Sequence, residues 1–130
     1  MPPTILWFRR DLRLQDHAAL TAAVAKGGPV IAVFICDELV EPLGAAPKWR
    51  LGVGVAELQA AIAAKSNRLI LRRGPALPTL MALVAETGAK AIYWQRAYDP
   101  KSQLRDTEIK EAMVANGLEA KSFKGHLLFE

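Results

Sequence analysis

Short apolar runs alternate with stretches of helical spacing along this whole chain, and that alternation leaves few folds open to it. Thr4–Phe8 (Thr-Ile-Leu-Trp-Phe), Val30–Cys36 (Val-Ile-Ala-Val-Phe-Ile-Cys), residues 68–73 around Leu69, Ile70 and Leu71, and Ala91–Gln95 are rich in β-branched and aromatic side chains. They lack polar alternation, which is how strands covered on both faces read. Residues 118–123 add a short fifth strand. Between them, residues 16–25 place Ala19, Leu20, Ala23 and Val24 on one helical face, stopped by Gly27, Gly28 and Pro29. Residues 48–64 put Leu51, Val55, Leu58 and Ile62 at i, i+4, i+7 and i+11, and residues 78–86 direct Leu80, Leu83 and Val84 inward before Gly88, a natural C′ residue. Residues 102–116 form a last helix with Leu104, Ile109, Ala112 and Met113 inward, stopped by Gly117. Residues 37–47, with Pro42, Gly44 and Pro47, read as a loop.

Strand and helix taking turns means parallel strands joined by right-handed crossovers. The expected fold is α/β: a Rossmann-like, doubly wound five-stranded parallel sheet of strand order 3-2-1-4-5, with helices on both faces. No linker, low-complexity segment or repeat divides the 130 residues, so residues 1–130 form a single domain. Such a sheet points all its carboxyl ends one way and holds ligands in the crevice where strand order reverses. Here those ends carry Arg9, Arg10 and Asp11, then Cys36 and Asp37, then Arg72 and Arg73, then Gln95, Arg96 and Asp99. Guanidinium groups donate paired hydrogen bonds to phosphate or carboxylate, which points to an anionic or nucleotide-like ligand. The same arginines also have Asp11, Asp37 and Asp99 at hand as ion-pair partners.

Several chemistries are excluded. A dinucleotide fingerprint needs glycines after the first strand, where this chain has Arg9, Arg10 and Asp11. Gly52 and Gly54 lie inside a helix and read as close packing positions. No Walker lysine–serine pair exists. His17 and His126 are far apart, neither has metal-ligand spacing with Cys36, and no catalytic or metal constellation is expected. Cys36, the only cysteine, reads as a small hydrophobe and fits a reducing compartment. No apolar run reaches the roughly 18–20 residues that span a bilayer, and no basic n-region introduces a signal peptide. The expectation is a soluble cytoplasmic domain with no membrane partner, whose net charge of +4 suits anionic partners.

Residues 7–20, Trp-Phe-Arg-Arg-Asp-Leu-Arg-Leu-Gln-Asp-His-Ala-Ala-Leu, resemble the N-terminal signature of the DNA photolyase/cryptochrome family. Three further segments resemble it in the same order: residues 29–37, ending a strand in Asp37; residues 67–74, Asn-Arg-Leu-Ile-Leu-Arg-Arg-Gly; and residues 93–106, Tyr-Trp-Gln-Arg-Ala-Tyr-Asp-Pro followed by Arg-Asp. The tail 125–130, Gly-His-Leu-Leu-Phe-Glu, is similar to the stretch that leaves this domain. The chain departs from the family in having Gln95 for Asn and Asp99 for Glu. Gly52 and Val53 also stand where many members place polar residues near the chromophore, a loss that would enlarge the pocket or abolish binding.

The resemblance implies an antenna-chromophore domain holding methenyltetrahydrofolate or 8-hydroxy-5-deazaflavin. It also implies a C-terminal helical domain, beyond these residues, that binds FAD and damaged DNA. The parent would repair pyrimidine dimers with blue light, and this fragment alone would not be catalytic. Candidate chromophore contacts are Arg9, Arg10, Asp11, Cys36, Asp37, Lys48, Arg50, Gln95 and Asp99, with Trp7, Phe8, Phe34 and Trp94 as core. A signalling cryptochrome and a stand-alone nucleotide- or anion-binding module are the alternatives.

Overall fold

In the computed structural model, which describes residues 2–15 and 17–124, nine elements alternate strictly. They are β1 (Thr4–Phe8), α1 (Ala18–Lys26), β2 (Val30–Cys36), α2 (Ala45–Ala63), β3 (Leu69–Arg73), α3 (Ala76–Thr87), β4 (Ala91–Gln95), α4 (Pro100–Ala115) and β5 (Glu119–Phe123). All pairings are parallel, in the order β3-β2-β1-β4-β5. The expected topology is therefore the observed one.

Successive residues of β1 face opposite sides of the sheet, and each side has its own core. Ile5 and Trp7 pack with Leu80 and Leu83 of α3 and Ile109 and Met113 of α4. Leu6 and Phe8 pack with Ala19 and Ala23 of α1 and Leu58 and Ile62 of α2. All five residues of β1 are buried, as are all five of β4, whereas most of the edge strand β3 is exposed. Burial of each such large apolar side chain contributes ~1.5–3 kcal/mol, so the two central strands anchor the molecule.

The helix boundaries differ from the sequence reading in an instructive way. α2 begins at Ala45 and α3 at Ala76, so Pro47 lies in a first turn rather than in the loop ahead of α2, and Pro78, expected as the first residue of its helix, is the third. The N–H that proline lacks has no partner in a first turn anyway. α1 begins at Ala18, with His17 as its N-cap; the expected start at Asp16 lies outside the described residues. Gly88 ends α3 in the left-handed conformation (φ 73°), its N–H donating to the carbonyl of Val84, as expected of a C′ glycine.

Three inward positions are corrected. Leu104 of α4 is 66% exposed and Val24 of α1 is 62% exposed. In α4 the inward stripe is Asp106, Ile109 and Met113, so a carboxylate takes the place expected for a leucine. The third is Gly52, which faces open space, whereas Gly54 is a packing position: a Cβ there would lie 2.8 Å from Leu12 Cδ1. The tail 125–130, including His126, lies outside the described residues.

Candidate functional site

The chain leaves β1 toward one face of the sheet and β4 toward the other, so the carboxyl ends of these neighbours part and leave a crevice. It has a volume of about 800 Å³ and is walled on one side by Arg9–Asp11, Gln95–Asp99 and the start of α4, and on the other by Asp37–Val40, Leu43 and Leu51.

The first wall is built around Trp7. Arg9, next but one in sequence, lies with its guanidinium 4.7 Å from the Trp7 ring centroid and donates from one nitrogen to both carboxylate oxygens of Asp106, at 2.7 Å each. Its other terminal nitrogen donates to the Gln95 carbonyl, at 2.7 Å. Arg105, on the same turn of α4 as Asp106, lies 5.1 Å from the Trp7 ring and donates to Asp37, at 2.8 Å, and to Asp106, at 3.3 Å. Arg9, Asp106, Arg105 and Asp37 thus alternate in sign across the ends of three strands, each side chain no more than 11% exposed. Asp37 is also committed locally, accepting from the backbone N–H groups of Leu39 and Val40. These charges hold one another.

The turn after β1 is fixed in the same manner. Asp11 accepts from the backbone N–H of Arg9 and pairs with the buried ring of His17 through Nε2. His17 Nδ1 accepts from the Leu20 N–H, so the neutral ring donates from Nε2 toward Asp11. Burial alone would raise the Asp11 carboxyl; the His17 and Arg9 N–H hydrogen bonds outweigh it and hold the group below the usual range. Gln95, buried, accepts through Oε1 from Ala18 N–H at 2.7 Å and so satisfies the start of α1. Asp99 caps α4, accepting from Ser102 N–H at 3.0 Å, with Pro100 following; that hydrogen bond lowers its carboxyl against a smaller effect of burial.

Of the expected contacts, Arg9, Arg10, Asp11, Asp37, Gln95 and Asp99 line the crevice; Cys36, Lys48 and Arg50 do not. Cys36 and Lys48 instead gather on Glu41: the thiol donates to its carboxylate at 3.3 Å, and Lys48 and Arg73 approach it at 3.7 and 3.2 Å. Desolvation, followed by the bond to Glu41, pushes the Cys36 thiol up, away from nucleophilic use. Gly52 and Val53 are exposed and lie off the crevice, so their lack of polar groups neither enlarges nor closes it. The sequence reading missed Arg105 and Asp106 as site residues, although the Arg-Asp pair stood in the family-like segment. It missed the apolar wall of Leu39, Val40, Leu43 and Leu51 entirely. Among the described residues, no group of three or more His, Cys, Asp or Glu side chains is placed to hold a metal ion, and no helix is long and apolar enough to cross a membrane.

Comparison with known proteins gives one consistent result. Residues 4–130 match the family described as DNA photolyase. The chain is 44% identical over 128 residues to a deoxyribodipyrimidine photo-lyase of Agrobacterium fabrum, covering 98% of this chain and 27% of that protein. It is 37% identical to cryptochrome-1 of Arabidopsis thaliana, over 98% of this chain and 19% of that one. The crystal structure of a bacterial class III photolyase from Agrobacterium tumefaciens superimposes with a TM-score of 0.93 at 43% identity, over 99% of this chain and 27% of that one. A cryptochrome structure from Synechocystis sp. gives 0.80 at 28% identity. The chain therefore spans about a quarter or less of the length of these relatives.

Proposed function

This chain belongs to the DNA photolyase family, and from that premise we propose that it is the N-terminal, antenna-chromophore-binding domain of a deoxyribodipyrimidine photolyase. The parent would carry FAD in a second, helical domain and use blue light to split pyrimidine dimers in DNA. The observation that carries the reading is the crevice itself. At about 800 Å³ it is within the usual range of ~300–1,000 Å³ for small-molecule sites. One wall offers Leu39, Val40, Leu43 and Leu51, and the charges of Arg9, Asp106, Arg105 and Asp37 that join the two walls satisfy each other.

That combination fits a flat ring system such as methenyltetrahydrofolate or 8-hydroxy-5-deazaflavin. The rings would lie against Val40, Leu43 and Leu51, while Arg10 and Lys101 at the exposed rim suit a negatively charged tail. Bound there, the chromophore would supply light absorption; the protein's part is to fix its orientation and exclude water.

The test is light-dependent dimer repair by the polypeptide in which this domain resides. Repair under blue light and none in the dark is expected. A flavin-containing polypeptide that repairs nothing supports the second reading, a cryptochrome photoreceptor, which the similarity to cryptochrome-1 favours; absence of flavin overturns both.

A further inference from the structure

Helix α2 is apolar on two opposite faces. Leu51, Val55, Leu58 and Ile62 turn toward the sheet. At about 3.6 residues per turn, Trp49, Gly52, Val53, Ala56, Ala60 and Ala63 fall together on the other side. All six are exposed, Trp49 by 71% and Val53 by 38%. Only Lys48, Arg50 and Glu57 are charged among the 19 residues of α2, and all three border the stripe rather than enter it. A helix that faced only water would carry its polar residues there. α4 does so: Lys101, Glu108, Lys110 and Glu111 are all exposed.

The two glycines of α2 make the case sharper. Glycine inside a helix costs about 1 kcal/mol relative to alanine. Gly54 is explained within the domain, because Leu12 occupies the space a Cβ would need. Gly52 is not: a Cβ there would meet nothing within 4 Å. Its place in the exposed stripe, on the turn between Trp49 and Ala56, suits the close approach of another backbone.

We propose that this stripe is the seat of a helix contributed by the polypeptide that lies outside this domain in full-length members of the family. The proposal rests on reading the chain as one domain of a longer photolyase. In these relatives, 72% or more of the polypeptide lies outside the matched region, and it must meet this domain somewhere. The stripe is roughly 21 Å long at ~1.5 Å per residue. Paired with a second copy it would bury on the order of 500 Å² in total, short of the ~1,000 Å² that independent molecules need. A tethered helix has no such requirement, because its effective concentration is high. The small residues Gly52, Ala56 and Ala60, at i, i+4 and i+8, form a shallow groove for close helix packing, with Trp49 and Val53 as the projections. Arg50 flanks the Trp49 end, Lys48 being drawn to Glu41, so the incoming helix is expected to carry an acidic residue beside Arg50.

The test uses single cysteines, Ala56→Cys and Ala60→Cys, in a Cys36→Ser background, and reads their rate of labelling by a maleimide. It compares the 130-residue chain with the complete polypeptide of its natural reading frame. Labelling at both positions at least about tenfold slower in the complete polypeptide, and independent of concentration in the short chain, is expected. Equal rates overturn the proposal, as does a reading frame that ends with this domain. Protection that appears in the short chain with rising concentration overturns it in favour of self-association. The dimer-repair assay is read separately. Loss of repair with protection intact removes the photolyase reading and leaves the docking face, and repair without protection does the reverse.

Discussion

The two walls of the crevice are made by opposite means. The wall from β1, β4 and α4 is dense in charge, yet its charges are turned on each other, Arg9 on Asp106 and Arg105 on Asp106 and Asp37, while the Asp11 carboxylate is held by the neutral His17 ring. The wall from the β2–α2 segment brings the apolar Leu39, Val40, Leu43 and Leu51 to the crevice, its carboxylates being committed elsewhere: Asp37 to Arg105, and Glu38 to the Ala76 N–H at the start of α3. Charge at a strand end is therefore a poor guide to ligand affinity. Arginines already saturated by carboxylates make a rigid floor, and in the proposed site the contact area for an aromatic ligand would come from the less conspicuous side.

The largest expected effect follows from breaking the charged wall. Asp106→Ala leaves Arg9 and Arg105 without their shared carboxylate, and stability in denaturant should fall by about 3–5 kcal/mol. A loss below about 1 kcal/mol would mean that the arginines are free for ligand, and the contrast between the walls would disappear. Next comes the joint between the walls, where Gly54 of α2 meets Leu12 from the turn after β1. Gly54→Ala must push the end of the Leu12 side chain aside, which should outweigh the helix gain by no more than about 1 kcal/mol, whereas Gly52→Ala should stabilise the isolated domain by about 0.5–1 kcal/mol. Thermal melting of the pair reads both signs.

A smaller effect belongs to an ion-pair cluster away from the crevice. Hydrogen bonding from Lys26, and secondarily from Lys121 and Tyr93, outweighs burial and lowers the Glu119 carboxyl from 4.5 to about 2. A carboxyl depressed in the folded state stabilises it fully above its unfolded value and loses that contribution as pH falls. Acid titration of stability should therefore show a Glu119-dependent loss between pH 4.5 and about 2, absent in Glu119→Gln. Ligand binding at neutral pH should be the same in that variant, since Glu119 does not line the crevice.

The sheet was legible because β1, β2 and β4 are covered on both faces, and a strand so covered can tolerate few polar residues. Helix starts were less legible. Pro42, Gly44 and Pro47 all signal a break, but a proline in a first turn interrupts no hydrogen bond. Leu104 was expected inward because it is apolar; the two arginines over Trp7 make Asp106 the better occupant of that face, a preference that exists only once β1 and α4 are packed together. Asp99 before Pro100 has the residue types of an N-cap and N1 pair and takes that place, a signal passed over by the expected helix start at Ser102. Cys36, Lys48 and Arg50 were grouped with the site by strand-end position and family resemblance, whereas Glu41 draws the first two away from it.

The most direct measurement is a fluorescence titration of the domain with 8-hydroxy-5-deazaflavin and, separately, methenyltetrahydrofolate, repeated on Val40→Asp. Saturable binding of one chromophore, weakened about tenfold or more by a charge on the apolar wall with melting temperature unchanged, is the predicted result. Failure of both to bind, or equal affinity in Val40→Asp, would contradict the assignment of the crevice as an antenna site.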